Sequence, residues 1–179
     1  MRLRVFVVKA VYAGFVRLYG EKHVSILLAG HTSVKIEGVR ELPAPRERVW
    51  SMLMDPAVLS RCLPGCESLE PAGTNSYKAT LKVGIAAIKG SFSGTVSLTD
   101  LNQPESFKLV LESSGKQGFV RGVAAIKLTD KGQVTELSYS GEGQVGGMLA
   151  SVGQRMLQGV ASSQLHKFFE AFEREVRGA

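Results

Sequence analysis

The chain has 179 residues, enough to bury a real core and normally one domain. Its net charge of +6 looks like a nucleic-acid signature until it is located. Arg2, Arg4, Lys9, Arg17 and Lys22 against Glu21 place +4 in residues 1–33, so residues 34–179 carry only +2. With no Lys/Arg stripe and no aromatic interleaving, the electrostatic footprint of a nucleic-acid binder is missing. Two cysteines and no convincing signal peptide favour a reducing cytoplasm.

Residues 1–20, MRLRVFVVKAVYAGFVRLYG, are apolar and basic, but Lys9 interrupts a run that falls short of a transmembrane span. They also fit an interfacial helix on anionic lipid. Regular patterning starts at Val34, and valine is what an internal GTG start codon encodes. Residues 1–33 are therefore expected to be an extension, disordered or from a mis-called start, ahead of a domain over 34–179.

Val34 to Leu42 reads as a strand ended by Pro43. Pro45 then opens a short helix with Val49, Trp50, Leu53 and Met54 on its apolar face. Asp55-Pro56 starts a second helix, Asp55 as N-cap and Pro56 in the first turn, broken by Pro64-Gly65. Alternating runs follow over Tyr77–Val83, Ile85–Leu101, Phe107–Glu112, Val120–Leu128 and Val134–Ser140. Asn102-Gln103-Pro104, Gly115–Gly118 and Asp130-Lys131-Gly132 supply polar turns between them. Gly84, Gly90 and Gly94 are expected as bulges that curve the sheet.

Past Gly146-Gly147 one long helical pattern is expected. Leu149, Val152, Met156, Val160, Phe168 and Phe172 recur on one face, widened by Leu157, Leu165 and Phe169. Gly153 and Gly159 inside it cost about 1 kcal/mol each relative to Ala. They either bring the backbone against the sheet or leave room beneath the helix. The order (strand, two short helices, five or six strands, long helix) predicts an α+β fold, a curved antiparallel sheet gripping its C-terminal helix.

Few residues offer chemistry. Gly141-Glu142-Gly143-Gln144-Val145-Gly146 is literally G-x-G-x-x-G, but a dinucleotide fold needs a following parallel strand. A flexible hinge is the expectation there. Cys62 and Cys66 lack two further ligands for zinc, and CxxxC is not the thioredoxin spacing. They read as small buried residues at a helix end. His166 has no identifiable acid or nucleophile partner and is expected at the edge of the apolar face. Tyr77, Phe92, Phe107, Phe119 and Tyr139 sit on strands, as core or as walls of an apolar pocket.

The runs Ile36-Glu37-Gly38, Leu42–Trp50, Asp55-Pro56, Leu59 and Cys62-Leu63-Pro64-Gly65-Cys66-Glu67 resemble the CoxG family, named for the G subunit of carbon monoxide dehydrogenase. Lys82-Val83-Gly84, Lys89–Gly94 and Gln144–Gly147 fit its pattern too, and the match covers about residues 34–176. The resemblance implies the helix-grip superfamily of START domains, plant Bet v 1-like proteins and polyketide cyclases. It implies a non-catalytic accessory protein serving a molybdenum-containing CO-dehydrogenase-type hydroxylase. It also implies recruitment to the inner face of the plasma membrane and a quinone, menaquinone or ubiquinone, in an apolar cavity. Several members continue into a hydrophobic anchoring tail, where this sequence ends at Ala179.

From the apolar alternation, the expected cavity walls are Trp50, Leu53, Leu59, Leu63, Tyr77, Phe92, Phe119, Tyr139, Met148, Leu149, Val152 and Met156. Gly153 is expected to supply room, and Pro64-Gly65 to shape one mouth. No catalytic or metal-ligating residue is expected. A cyclase- or aromatase-type enzyme on the same fold is the alternative, and a third reading is an assembly factor whose cavity is filled core.

Overall fold

The computed structural model describes residues 32–85 and 88–178. The reading of residues 1–31 as an extension lies outside the described residues.

Strand β1 (Thr32–Leu42) leads into two short helices, α1 (Arg46–Leu53) and α2 (Pro56–Cys62). Pro45 sits at the N-cap of α1. Asp55 caps α2 as its sequence foretells: Oδ1 accepts from the Ala57 N–H at 2.8 Å, with Pro56 in the first turn. Six strands follow: β2 (Cys66–Gly73), β3 (Ser76–Ile85), β4 (Ile88–Asn102), β5 (Ser106–Gly115), β6 (Gly118–Asp130) and β7 (Thr135–Gly146). Strand β2, whose CESLEPAG shows no alternation, is the one the pattern does not single out. A 3-10 turn (Gly147–Val152) and helix α3 (Gln154–Gly178) complete the chain.

All seven strands form one antiparallel sheet, ordered β1-β7-β6-β5-β4-β3-β2. The meander runs β2 to β7, and β1 closes onto β7, so α1 and α2 bridge strands at opposite edges. Three expectations need correction. The β3–β4 register runs unbroken through Gly84, Gly90 and Gly94, and the irregularities fall instead at Cys66/Ser68, Pro71/Gly73 and Thr99/Asn102. Gly94 is still required, because a Cβ there would lie 2.2 Å from the Glu112 carbonyl oxygen on the neighbouring strand. The glycine run 141–146 is not a hinge. It is paired strand, bonded to β6 along its whole length and to β1 as far as Val145.

The long helical pattern is likewise two elements. Gly153 adopts φ +88 between the 3-10 turn and α3, a conformation side chains rarely take. The 25 residues of α3 then span about 37 Å.

Packing divides the core in two. The larger cluster joins α1, α2 and the C-terminal half of α3 to the sheet, through Trp50, Leu98, Phe107, Leu128, Leu137, Phe169, Phe172 and Val176 among others. Trp50 meets Phe107 edge-on at 5.6 Å. The buried Thr135 hydroxyl donates to the Ala44 carbonyl at 2.7 Å, locking the α1 approach onto β7. The smaller cluster gathers Val34, Ile88, Phe92, Val145, Leu149 and Leu157 around the N-terminal turns of α3.

Candidate functional site: the inner face of the sheet

Paired residues of antiparallel strands point to the same side, so the register assigns each side chain a face. The face under α3 carries Val34, Ile36, Gly38, Arg40 and Leu42 of β1, and Leu137, Tyr139, Gly141, Gly143 and Val145 of β7. Continued across the sheet, one row reads Val34, Gly143, Gly122, Leu111, Val96 and Tyr77, and the next Ile36, Gly141, Ala124, Leu109 and Leu98.

These two rows lie between the core clusters. Gly122, Gly141 and Gly143 leave bare backbone in the middle of the floor, and Ile36, Val96, Leu109 and Leu111 beside them are only half-buried. The helix above shows the same gap. Between Leu157 and Phe169 no residue of α3 is fully buried, and Val160, Ala161, Leu165 and Phe168 remain partly exposed. Under the middle of α3 the floor is therefore bare glycine backbone flanked by partly buried apolar side chains. A Cβ on Gly141 would sit 2.7 Å from the Val123 carbonyl oxygen, so a side chain is sterically refused there. The helix glycines play no such part: Gly153 and Gly159 are exposed and press against nothing.

The expected wall residues separate accordingly. Trp50, Leu53, Leu59, Tyr77 and Tyr139 belong to or pack on the larger cluster, and Phe92, Leu149 and Val152 to the smaller. Leu63 is half-buried at the C-cap of α2. Three residues are not brought in. Phe119 falls on the outer face with Thr80, Ser93 and Ser114, where the Arg121 guanidinium lies 5.0 Å from its ring. Met148 and Met156 are exposed, at 66% and 41%. Gly65 (φ +75) packs its turn against β3, and its carbonyl accepts from Lys82 N–H at 2.7 Å. The sequence reading missed Ile36, Val96, Leu109 and Leu111. Ile36 and Leu111 lie opposite Gly141 and Gly122, whereas Val96 lies between Tyr77 and Leu111 and Leu109 between Leu98 and Ala124.

Polar groups on this face are few and mostly satisfied. The Tyr77 hydroxyl donates to the Met54 carbonyl (3.5 Å), Ser113 to the Ser93 carbonyl (3.3 Å) and Thr32 to the Ala150 carbonyl (3.5 Å). Tyr139 stacks on Phe169 with centroids 5.2 Å apart, and Arg40 lies over the same ring at 5.6 Å. His166 is exposed and pairs with Glu170 at 3.3 Å. Cys62 is buried at the end of α2, and burial pushes its thiol up to about 11; the Cys66 thiol is raised for the same reason. Among the described residues no cluster of His, Cys, Asp or Glu could hold a metal. Two recesses open on the surface. One of about 320 Å3 is lined by Asp100, Phe107, Lys108, Ile126, Lys127 and Tyr139 among others, and one of about 450 Å3 by Arg46, Trp50 and Pro104.

A curved antiparallel sheet closed over a long C-terminal helix, with two short helices after the first strand, defines a helix-grip protein with an apolar inner face. The chain belongs to the CoxG family, the G subunit of carbon monoxide dehydrogenase, which matches residues 38–177. Among solved structures it is similar to a conserved protein from Geobacillus kaustophilus, with 41% identity and a TM-score of 0.78, covering 81% of this chain and 96% of that one. Norcoclaurine synthase from Thalictrum flavum, in complex with dopamine and hydroxybenzaldehyde, shares the fold at 16% identity and a TM-score of 0.60, covering 86% and 91%. Protein CV1439 from Chromobacterium violaceum shares it at 19% identity and 0.60, covering 80% and 97%. No curated protein matches the chain. Among the described residues no helix is long and apolar enough to cross a membrane.

Proposed function

We propose that the protein is a non-catalytic accessory protein that holds a lipophilic quinone between the inner face of the sheet and α3. It serves a CO-dehydrogenase-type molybdenum hydroxylase, consistent with its family. One observation carries the ligand reading: Ile36, Val96 and Leu111 face the helix side of the sheet and are only partly buried, beside the bare backbone of Gly122, Gly141 and Gly143. An isoprenoid chain would cover this floor, at about 25 cal/mol for each Å2 of apolar surface removed from water. Binding is favoured over catalysis because Arg40, Tyr77 and Tyr139 are the titratable side chains facing this floor, and none forms an acid–base pair.

The charge pattern supports peripheral contact with an anionic membrane. Residues 71–99, 113–129 and 143–169 contain no Asp or Glu. The loops that bring Lys89, Lys116 and Arg155 to one end of the sheet also carry the exposed Met148.

Native mass spectrometry of the full chain, purified from a quinone-producing host, tests the ligand reading. A mass excess equal to an isoprenoid quinone is the expected result. A bare protein that takes up no decylubiquinone would leave the face as packing surface and the protein as an assembly factor.

A further inference from the structure

Away from the strand ends, the register places a single charged side chain on the inner face, Arg40. Asp130, in the last β6–β7 pair, is exposed and turns into its own hairpin, where Oδ1 accepts from the Gly132 N–H at 2.7 Å. Arg40 is half-buried and forms no ion pair among the described residues. A guanidinium on a largely apolar face, over an aromatic ring and without a carboxylate partner, keeps donors for a further acceptor.

The neighbouring Tyr139 is in the same position. Thr32, Tyr77, Ser113 and Thr135 each spend their hydroxyl on a backbone carbonyl, whereas the Tyr139 hydroxyl has no hydrogen-bond partner among the described residues. Its direction is set by the backbone beneath. A Cβ on Gly38 would lie 2.4 Å from the Tyr139 oxygen, so this glycine is what lets the phenol reach over β1. Arg40 is two residues along the same strand. Both side chains therefore contact the Phe169 ring at the seam between β1 and α3.

We propose that Arg40 and Tyr139 anchor the head of the bound quinone, donating to one of its carbonyl oxygens while the chain runs over Ile36, Leu109 and Leu111. This rests on the ligand reading above and adds to it an orientation and two named donors. Neither residue reacts; both position the ligand.

The test uses the full chain and two probes, decylubiquinone and n-decylbenzene, which keeps the tail and ring but lacks acceptor oxygens. Quenching of Trp50, the single tryptophan, reports binding. Arg40→Met and Tyr139→Phe are each expected to weaken decylubiquinone binding by about tenfold or more, the size of a charge-assisted or buried hydrogen bond. Decylbenzene affinity stays unchanged, and Arg40→Lys restores part of the quinone affinity. Thermal melting of each variant checks that the fold survives. Equal affinity of wild type and both variants for decylubiquinone overturns the anchor while leaving the quinone reading intact. Arg40→Met that loses laurate but keeps decylubiquinone also overturns it, by assigning Arg40 to carboxylates. A wild type that ignores decylubiquinone removes both proposals together.

Discussion

Gln158 on α3 closes the free edge of the sheet at Lys35. The Lys35 N–H donates to Gln158 Oε1 at 3.1 Å, and Gln158 Nε2 donates to the Lys35 carbonyl at 2.5 Å. One side-chain amide thus takes both backbone groups that an edge strand leaves open. It also fixes the N-terminal half of α3 over β1. Gln158→Ala is expected to lower stability by about 1–2 kcal/mol. Hydrogen exchange at Lys35 should rise more than at Arg40, whose side of the seam relies on Phe169. Equal protection at Lys35 in both proteins would show that the amide pairing contributes nothing.

Glycine substitutions should divide sharply by face. Gly94→Ala and Gly141→Ala would each drive a Cβ into neighbouring backbone, at 2.2 and 2.7 Å, and are expected to cost about 1–3 kcal/mol or more. Gly159→Ala, in α3 with nothing within 4 Å of the new atom, is expected to stabilise by about 1 kcal/mol. Urea unfolding of the three variants measures the contrast, which a stabilising Gly141→Ala would refute.

The tie between α2 and α3 should be acid-sensitive. Arg61 holds Glu175 through two hydrogen bonds, Nε at 3.1 Å and Nη2 at 2.7 Å, and these depress the Glu175 carboxyl below its usual range. A depressed folded pKa gives stability that is present above the unfolded value and lost as pH falls through the folded one. Glu175→Gln should therefore flatten the acid limb of the melting-temperature profile. A curve parallel to wild type below neutral pH would exclude this contribution.

Cys62 behaves in the opposite sense. Burial disfavours its thiolate and pushes the thiol up to about 11. The associated stability is complete below the unfolded thiol pKa and is lost as pH rises toward the folded value. At neutral pH the native protein should label at Cys66 well before Cys62, which reacts on unfolding. Equal labelling rates in the native state would contradict the burial of Cys62.

Vesicle sedimentation tests the basic end. Binding to phosphatidylglycerol vesicles should weaken with salt, and by roughly fivefold for each of Lys89→Gln and Arg155→Gln, near 1 kcal/mol per charge at an anionic surface. Phosphatidylcholine vesicles should not bind. Salt-independent binding to both lipids would discount the charge pattern.

Much of the architecture was legible in short-range signals. The Asp55-Pro56 cap, the polar turns and the alternation of Tyr77–Val83 are properties of neighbouring residues, and they survive unchanged in the fold. Strand β2 was harder to see because, at the sheet edge, its residues are mostly exposed and need no alternation. The site was legible only in part. Phe92 and Phe119 look alike in sequence, both aromatic residues within strand runs, yet they sit on opposite faces.

The sequence by itself determined most of the strands, the two short helices and the apolar character of α3. Each of these depends on periodicity within one segment. Tertiary structure alone decided that Gly141–Gly146 is strand, that Gly153 breaks the helical run and that Arg40 and Tyr139 share one aromatic platform. The reason is physical: face and neighbour are set by register between strands distant in sequence. A one-residue slip would exchange the apolar floor for the outer surface.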